Sequence, residues 1–309
     1  MPDRLPPSPP PPRPPGPVGE AGEAGEDRLG AGSRPLLSAA DFARLGAFIQ
    51  DRFGIRMPPA KRTLLEARLA KRVRALGLSG FTAYCDLVLG GGRTDELVEL
   101  VDRVTTHKTD FFREPQHFEI LVQTVLPELA ARRAAGRDRE LRVWSAACST
   151  GEEPYTLAMV LAEQPGLRFR ILATDLSEGV LRQAAEATYP EPLIAPIPLP
   201  LRRKYLMRSV ADPEVVKVRR SLRATVGFQQ LNLLAPSYAV GGRLDVIFCR
   251  NVFIYFDRPT QGEILRRFEA ALGPGGYLFM GHSESINGQA GAFQAVAPTV
   301  YRVRQEGGP

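Results

Sequence analysis

The segment that decides the fold runs from Leu141 to Gln164 and reads LRVWSAACSTGEEPYTLAMVLAEQ. Leu141, Val143 and Trp144 make a short apolar run that suits a buried strand. Ser145 to Gly151 are all small. Pro154 then falls in the first turn of a predicted helix, where Leu157, Ala158, Leu161 and Ala162 repeat at helical spacing. Strand, tight turn and helix open a nucleotide-binding α/β unit, and small residues let the backbone approach a ligand closely.

A second predicted strand, Phe169 to Ala173, ends in Thr174-Asp175. That Asp lies roughly 20 residues beyond the loop, where such folds place the carboxylate that holds a ribose hydroxyl. The loop carries one Gly, so it is not the dinucleotide fingerprint. Glu152 and Glu153 at the helix start would repel a pyrophosphate. They suit a ligand with an ammonium group and no phosphate, and S-adenosylmethionine is the candidate. The plainer alternative is an ordinary tight turn with acids favouring a helix N-terminus.

The chain has 309 residues, enough for one large or two modest domains. Cys85, Cys148 and Cys249 are few and widely spaced, which argues against a disulfide framework or zinc site and for a reducing compartment. No apolar signal core or run of membrane-span length is present, so a cytoplasmic protein without membrane insertion is expected. The net charge of +6 and pI near 9.4 allow nucleic acid as partner, and equally an acidic protein surface.

Residues 1–34 are rich in Pro, then in Gly, Glu and Ala, and read as a disordered tail. Residues 35–106 read as an all-helical domain, with Ser38 and Asp41 resembling a capping box. Its second helix, about 60–76, turns Leu64, Leu65, Leu69, Val73 and Leu76 inward. The other face carries Lys61, Arg62, Arg68, Lys71, Arg72 and Arg74. That face is either merely solvated or a docking surface for an acidic helical partner. It lacks the interleaved aromatics of a single-strand nucleic-acid platform, so no nucleic-acid partner is expected.

Residues 107–114 form a linker in which Phe111-Phe112 precedes Arg113. The pair either staples the following helix, Pro115 to Ala134, or forms a flap over the pocket with Arg113 aimed at an anionic substrate. Residues 115–309 make the α/β domain. A small antiparallel β insertion is expected over about 189–230, from the alternation of Val215–Val218 and Arg223–Gln230. Leu244 to Asp257, LDVIFCRNVFIYFD, places Arg250 and Asn251 at the carboxyl end of a buried strand, where open α/β sheets bind ligands. His107, His117 and His282 lack local partners at metal-ligand spacing, so no metal is expected.

WSAACSTGEEPY, TTHKTDFFRE, ATD, NLL and CRNVFIYFD together resemble the chemotaxis-receptor glutamate methyltransferases, the CheR family, from about Ser38 to Arg304. The resemblance implies a helical N-terminal domain followed by a doubly wound methyltransferase domain with a small β insertion. It implies S-adenosylmethionine as cofactor and S-adenosylhomocysteine as product. The implied substrates are glutamates on the cytoplasmic helical hairpin of chemoreceptors, docked through the basic helix 60–76, and a monomer is the simplest expectation.

By that likeness, His107, Thr109 and Arg113 line the cofactor pocket from the linker. Glu153, or its neighbour Glu152, holds the methionine ammonium, and Asp175 takes the ribose. Asn232 and Leu233 flank the adenine, and Arg250 with Asn251 closes the site. Arg113 and Tyr255 stand nearest the chemistry as the catalytic pair. The family often has Asn where this chain has His107. Nucleic-acid amino-methyltransferases usually carry an Asn/Asp-Pro-Pro-aromatic turn; here Asn251-Val252-Phe253-Ile254-Tyr255 lacks the prolines.

Overall fold

Side chains alternate along Leu141–Ala146, and both faces find partners. Leu141 and Val143 enter one apolar layer, Trp144 and Ala146 the other. A strand buried on both faces needs cover on both, which parallel sheets obtain from crossover helices. The computed structural model describes residues 36–91, 93–134, 140–208, 212–286, 288–289 and 291–305. The tail expected over residues 1–34 lies outside them.

The strands are β1 (Leu141–Ala146), β2 (Phe169–Asp175), β3 (Thr188–Pro190), β4 (Leu206–Arg208), β5 (Val215–Val218), β6 (Val226–Gln230), β7 (Val246–Cys249), β8 (Tyr277–Met280), β9 (Phe293–Ala297) and β10 (Val300–Val303). Seven of them form one sheet in the order β6-β2-β1-β7-β8-β10-β9. The pairings from β6 to β8 are parallel, and β10 runs antiparallel to β8 and β9. The chain leaves β1 toward β2 on one side and returns to β7 on the other. That reversal opens a crevice at the carboxyl ends of β1, β2 and β7.

One expectation is corrected here. Residues 226–230 do not belong to the β insertion; β6 is the edge of the main sheet, paired with β2 from Ile171–Val226 to Asp175–Gln230. An edge strand exposes part of its surface, so its alternation matches that of a small antiparallel strand. The insertion is a three-stranded sheet, β3-β5-β4, within residues 188–218.

The helices of the first part are α1 (Ala39–Phe53), α2 (Arg62–Ala75), α3 (Phe81–Leu89) and α4 (Thr94–Val104). Ser38 caps α1, its Oγ accepting the Asp41 N–H at 3.0 Å. The basic face of α2 divides. Arg68 leans inward and its Nη1 donates to the carbonyls of Arg103, Val104 and Thr105 at 3.0–3.3 Å, capping the end of α4. Arg72 makes a two-toothed contact with the fully buried Glu96, Nη2 to Oε2 at 2.7 Å. Arg62, Lys71 and Arg74 stay exposed and have no acidic partner among the described residues.

The remaining helices are α5 (Gln116–Ile120), α6 (Leu126–Ala134), α7 (Glu152–Ala162), α8 (Glu178–Glu186), α9 (Leu199–Tyr205), α10 (Arg220–Arg223) and α11 (Arg258–Leu272). Between α5 and α6 lies one wide turn, Leu121–Val125, closed by the Leu126 N–H on the Leu121 carbonyl. Pro127 follows directly. It has no N–H to give and would crowd the Gln123 carbonyl in a regular helix, which accounts for the wide turn. Phe111 is buried against Tyr189, ring centroids 4.9 Å apart, and Phe112 meets Phe118 at 5.7 Å. The pair therefore anchors the linker in the core and does not form a flap.

The helical part is tied to the sheet by polar contacts close to the crevice. The Arg56 N–H donates to the Tyr255 carbonyl at 3.0 Å, Asn232 Nδ2 to the Arg52 carbonyl at 2.9 Å, and Ser177 Oγ to Asp102 at 2.5 Å. No helix of the described residues is long and apolar enough to cross a membrane.

Gly151 sits at φ +97°, and a Cβ there would stand 2.8 Å from Tyr189 Oη and 2.9 Å from Ala184 Cβ. Gly151→Ala is expected to cost about 1–3 kcal/mol of stability. A urea melt reads this as a lower midpoint with unchanged slope; a wild-type midpoint would contradict the reading.

Candidate active site

A cavity of about 370 Å³ lies at the carboxyl ends of β1, β2 and β7. Its volume is within the range usual for small-molecule sites. His107, Thr109 and Arg113 line it from the linker, and Glu153 from α7. Asp175 reaches it from the end of β2, Asn232 and Leu233 from beyond β6, and Arg250, Asn251 and Tyr255 from beyond β7. Every residue assigned to the site from sequence therefore meets in one space. Sequence reasoning missed what the helical part adds: Phe53, Ile55, Lys61 and Val104 line the same cavity. No short-range signal joins them to the α/β motifs.

The loop after β1 needs its small residues. Ala147 (φ 60°), Ser149 (φ 51°) and Gly151 (φ 97°) all have left-handed backbones, which bulky or branched side chains disfavour. The turn brings the Ser149 N–H to 2.9 Å from Asp175 Oδ2, while the Ser177 N–H meets Oδ1 at 3.0 Å. Burial pushes the Asp175 carboxyl above its usual pKa; these amides and His107 pull the other way. Trp144 supports the strand ends through Nε1–H on Thr174 Oγ1, 2.9 Å.

The two neighbouring acids separate. Glu152 turns from the cavity and accepts from Thr150 Oγ1 at 2.7 Å, with burial raising its pKa. Glu153 accepts from Ser145 Oγ at 2.6 Å and from Arg250 Nε at 2.6 Å. Arg250 is buried beside the stacked rings of Phe118 and Phe248, its Cζ 5.4 and 5.7 Å from their centroids, with its Nη1 donating to the Arg113 carbonyl at 2.6 Å. It is thus held in place by protein groups. Breaking such a buried pair from one side costs about 3–5 kcal/mol. Asn232 is also committed, with Oδ1 taking the Leu234 N–H at 2.9 Å while its amide holds Arg52.

Glu284 was not assigned a role from sequence. It is buried, and its carboxylate accepts the N–H groups of Gly281, Asn251 and Phe253, each at 2.8 Å. This fixes the loop that carries Asn251 (φ 60°) and Tyr255. Its position just past β8, beside the end of β7, is the signal that could have marked it.

Glu114, His117 and His282 also come together, with potential ligand atoms within 4.8 Å of one another. Sequence spacing gave no hint of this grouping. Arg250 Nη1 already lies 3.4 Å from His117 Nδ1 and 3.5 Å from Glu114 Oε2, so a guanidinium serves as the local cation.

His117 is buried and its pKa is pushed down to about 4, first by burial and then by Arg250. The unfolded chain takes up this proton near the ordinary value of about 6.5, before the folded chain does. The resulting stability is complete above about pH 6.5 and is lost as pH falls toward 4, on the order of 2 kcal/mol by pH 5. Thermal melts at pH 7 and pH 5 should show this drop, and His117→Gln should reduce it. An equal drop in both proteins would remove the assignment.

The donor set fits S-adenosylmethionine. Carboxylates of Asp175 and Glu153 suit hydroxyl and ammonium groups, and the acids Glu152 and Glu153 in the first turn of α7 disfavour phosphate there. Leu231, Leu233, Ile55 and Phe53 give apolar wall for a flat ring.

Residues 107–302 match the family described as CheR methyltransferase, SAM binding domain, and residues 40–105 match the CheR methyltransferase all-alpha domain. A chemotaxis protein methyltransferase of Escherichia coli is 41% identical over 88% of this chain and 94% of its own length. One from Borreliella burgdorferi is 37% identical over 85% of this chain and 93% of its own. Chemotaxis protein methyltransferase 2 of Pseudomonas aeruginosa is 39% identical, covering 84% and 92% respectively. With both halves matched in order and the crevice between them furnished with acids, this chain belongs to the CheR family of S-adenosylmethionine-dependent chemotaxis methyltransferases.

Proposed function

We propose that this chain methylates glutamate side chains on the helical cytoplasmic hairpin of membrane chemoreceptors, giving glutamate methyl ester and S-adenosylhomocysteine. The observation that carries the reading is one cavity in which two acids, Asp175 from the end of β2 and Glu153 from the start of α7, share the lining with Arg113 and Tyr255. The family to which the chain belongs supports it further.

When bound, S-adenosylmethionine supplies an electrophilic methyl group with its leaving group already attached. The residues hold, orient and exclude water. Asp175 keeps lone pairs beyond those used by Ser149 and Ser177, and these would take ribose hydroxyls. Glu153, fixed by Ser145 and Arg250, would take the ammonium. His107 and Thr109 would close the linker side, Asn232 and Leu233 would flank the adenine, and Asn251 would border the methionine end.

A glutamate of pKa about 4.3 is already ionised at neutral pH, so no residue has to remove a proton. What remains is in-line placement in a dry site. Arg113 would orient the attacking carboxylate, with Tyr255 beside it. Too tight a grip would stabilise the ground state, so the role is placement, not neutralisation.

The receptor would dock on the outer bases of α2. Arg68 and Arg72 serve α4, which leaves Arg62, Lys71 and Arg74 for an acidic helical partner. Cytoplasmic action and the absence of membrane insertion are part of this proposal.

Asp175→Ala is expected to weaken S-adenosylhomocysteine binding at least about tenfold in calorimetry. Equal affinity in both proteins would end the ribose assignment. Reversing Arg62, Lys71 and Arg74 together to Glu should lower methylation of receptor-bearing membranes, most strongly at low salt, and leave S-adenosylhomocysteine affinity intact. Undiminished methylation would exclude this docking face.

A further inference from the structure

The cations that line the cavity are not equivalent. Arg250 is committed to Glu153. Lys108 stands exposed, where water and salt screen it. Arg113 and Lys61 remain. Arg113 Nη1 donates to the Lys108 carbonyl at 3.0 Å. Lys61 comes from the helical part, in the turn that opens α2. Among the basic residues of that face, it alone lines the cavity.

Its Nζ donates to the Arg56 carbonyl at 3.2 Å and lies 5.5 Å from the centroid of the Tyr255 ring. Arg56 in turn gives its N–H to the Tyr255 carbonyl. One short loop therefore fixes Lys61 against the residue placed nearest the chemistry. Among the described residues no acidic side chain pairs with Lys61. Burial lowers its pKa from the ordinary lysine value, and the charges of Arg68 and Arg56 add to that. A partly desolvated cation without an internal anion is suited to receive one from outside.

We infer that Lys61 receives the carboxylate of the methyl-accepting side chain at the cavity, so that the helical part takes a direct share in choosing an acid over its amide. This rests on the proposed glutamate methylation. An ammonium offers three donors, and one is used on Arg56, which leaves two for an incoming carboxylate. A carboxamide would gain less from the same group because it carries no charge. The role differs from that of Arg62, Lys71 and Arg74. Those act from the exposed surface through a field that salt screens, whereas the Lys61 contact would form inside the cavity.

Lys61→Met keeps the stem and removes the charge; Lys61→Arg restores a charge with different geometry. Methyl incorporation into chemoreceptor-bearing membranes is measured at about 50 mM and about 500 mM salt. The expected kcat/KM of Lys61→Met is about tenfold or more below wild type at both. Lys61→Arg should recover part of the loss. S-adenosylhomocysteine affinity, which also reports that the variant is folded, should stay within about twofold of wild type. A kcat/KM within about twofold of wild type would overturn the inference. So would a deficit confined to low salt, which would assign Lys61 to the outer docking face, or a matching loss of S-adenosylhomocysteine affinity. A wild-type protein that transfers no methyl group to receptor glutamates would overturn both this inference and the functional reading beneath it.

Discussion

Acids at the carboxyl ends of a parallel sheet must be held without being silenced. Asp175, Glu153 and Glu284 are each buried, and each would be expensive to leave unpartnered. The fold meets this with fixed dipoles. Two backbone amides face Asp175 and three face Glu284. Only Glu153 is given a full counter-charge, and that charge, Arg250, lies beside the stacked rings of Phe118 and Phe248. The carboxylates therefore keep their orientation and part of their acceptor capacity. Every other feature of the cavity depends on this arrangement, because it sets where a cationic ligand can be tolerated.

The left-handed turn after β1 follows from the same constraint. Ser149 can present its N–H to Asp175 only if the loop doubles back tightly. Small residues make that turn possible, and Gly151 lets α7 start against Tyr189 and Ala184. The loops after β7 and β8 are joined in a comparable way by Glu284, which orders Asn251 and the segment leading to Tyr255. Three loops from three neighbouring strand ends are thus fixed by carboxylate-to-amide contacts, and the side chains they carry need little further support.

The helical part completes the cavity and does more than cover it. Phe53, Ile55, Lys61 and Val104 lie in the wall. Arg68 caps α4 just before the linker, and Thr105 Oγ1 lies 2.7 Å from His107 Nε2. Asp102 holds Ser177, two residues past Asp175. The basic residues of α2 and of the turn that opens it consequently divide between architecture, cavity and surface, a division set by which way each side chain leans.

The sequence by itself determined the local events. The small-residue turn after β1, Asp175 at the end of β2, the buried run before Arg250 and the Ser38 cap each depend on neighbours within about one turn or strand, and such signals survive in linear order. The tertiary structure decided which of two adjacent acids faces the cavity, since Glu152 and Glu153 differ only in the side of α7 they occupy. It moved Val226–Gln230 from the insertion to the edge of the main sheet, because hydrogen-bond partners across some 50 residues leave no trace in a short alternation. It spent Arg68, Arg72 and Asn232 on packing, and it brought Lys61 to the cavity. Those outcomes turn on contacts between distant segments, where the competition for a side chain is settled by geometry that no window of sequence contains.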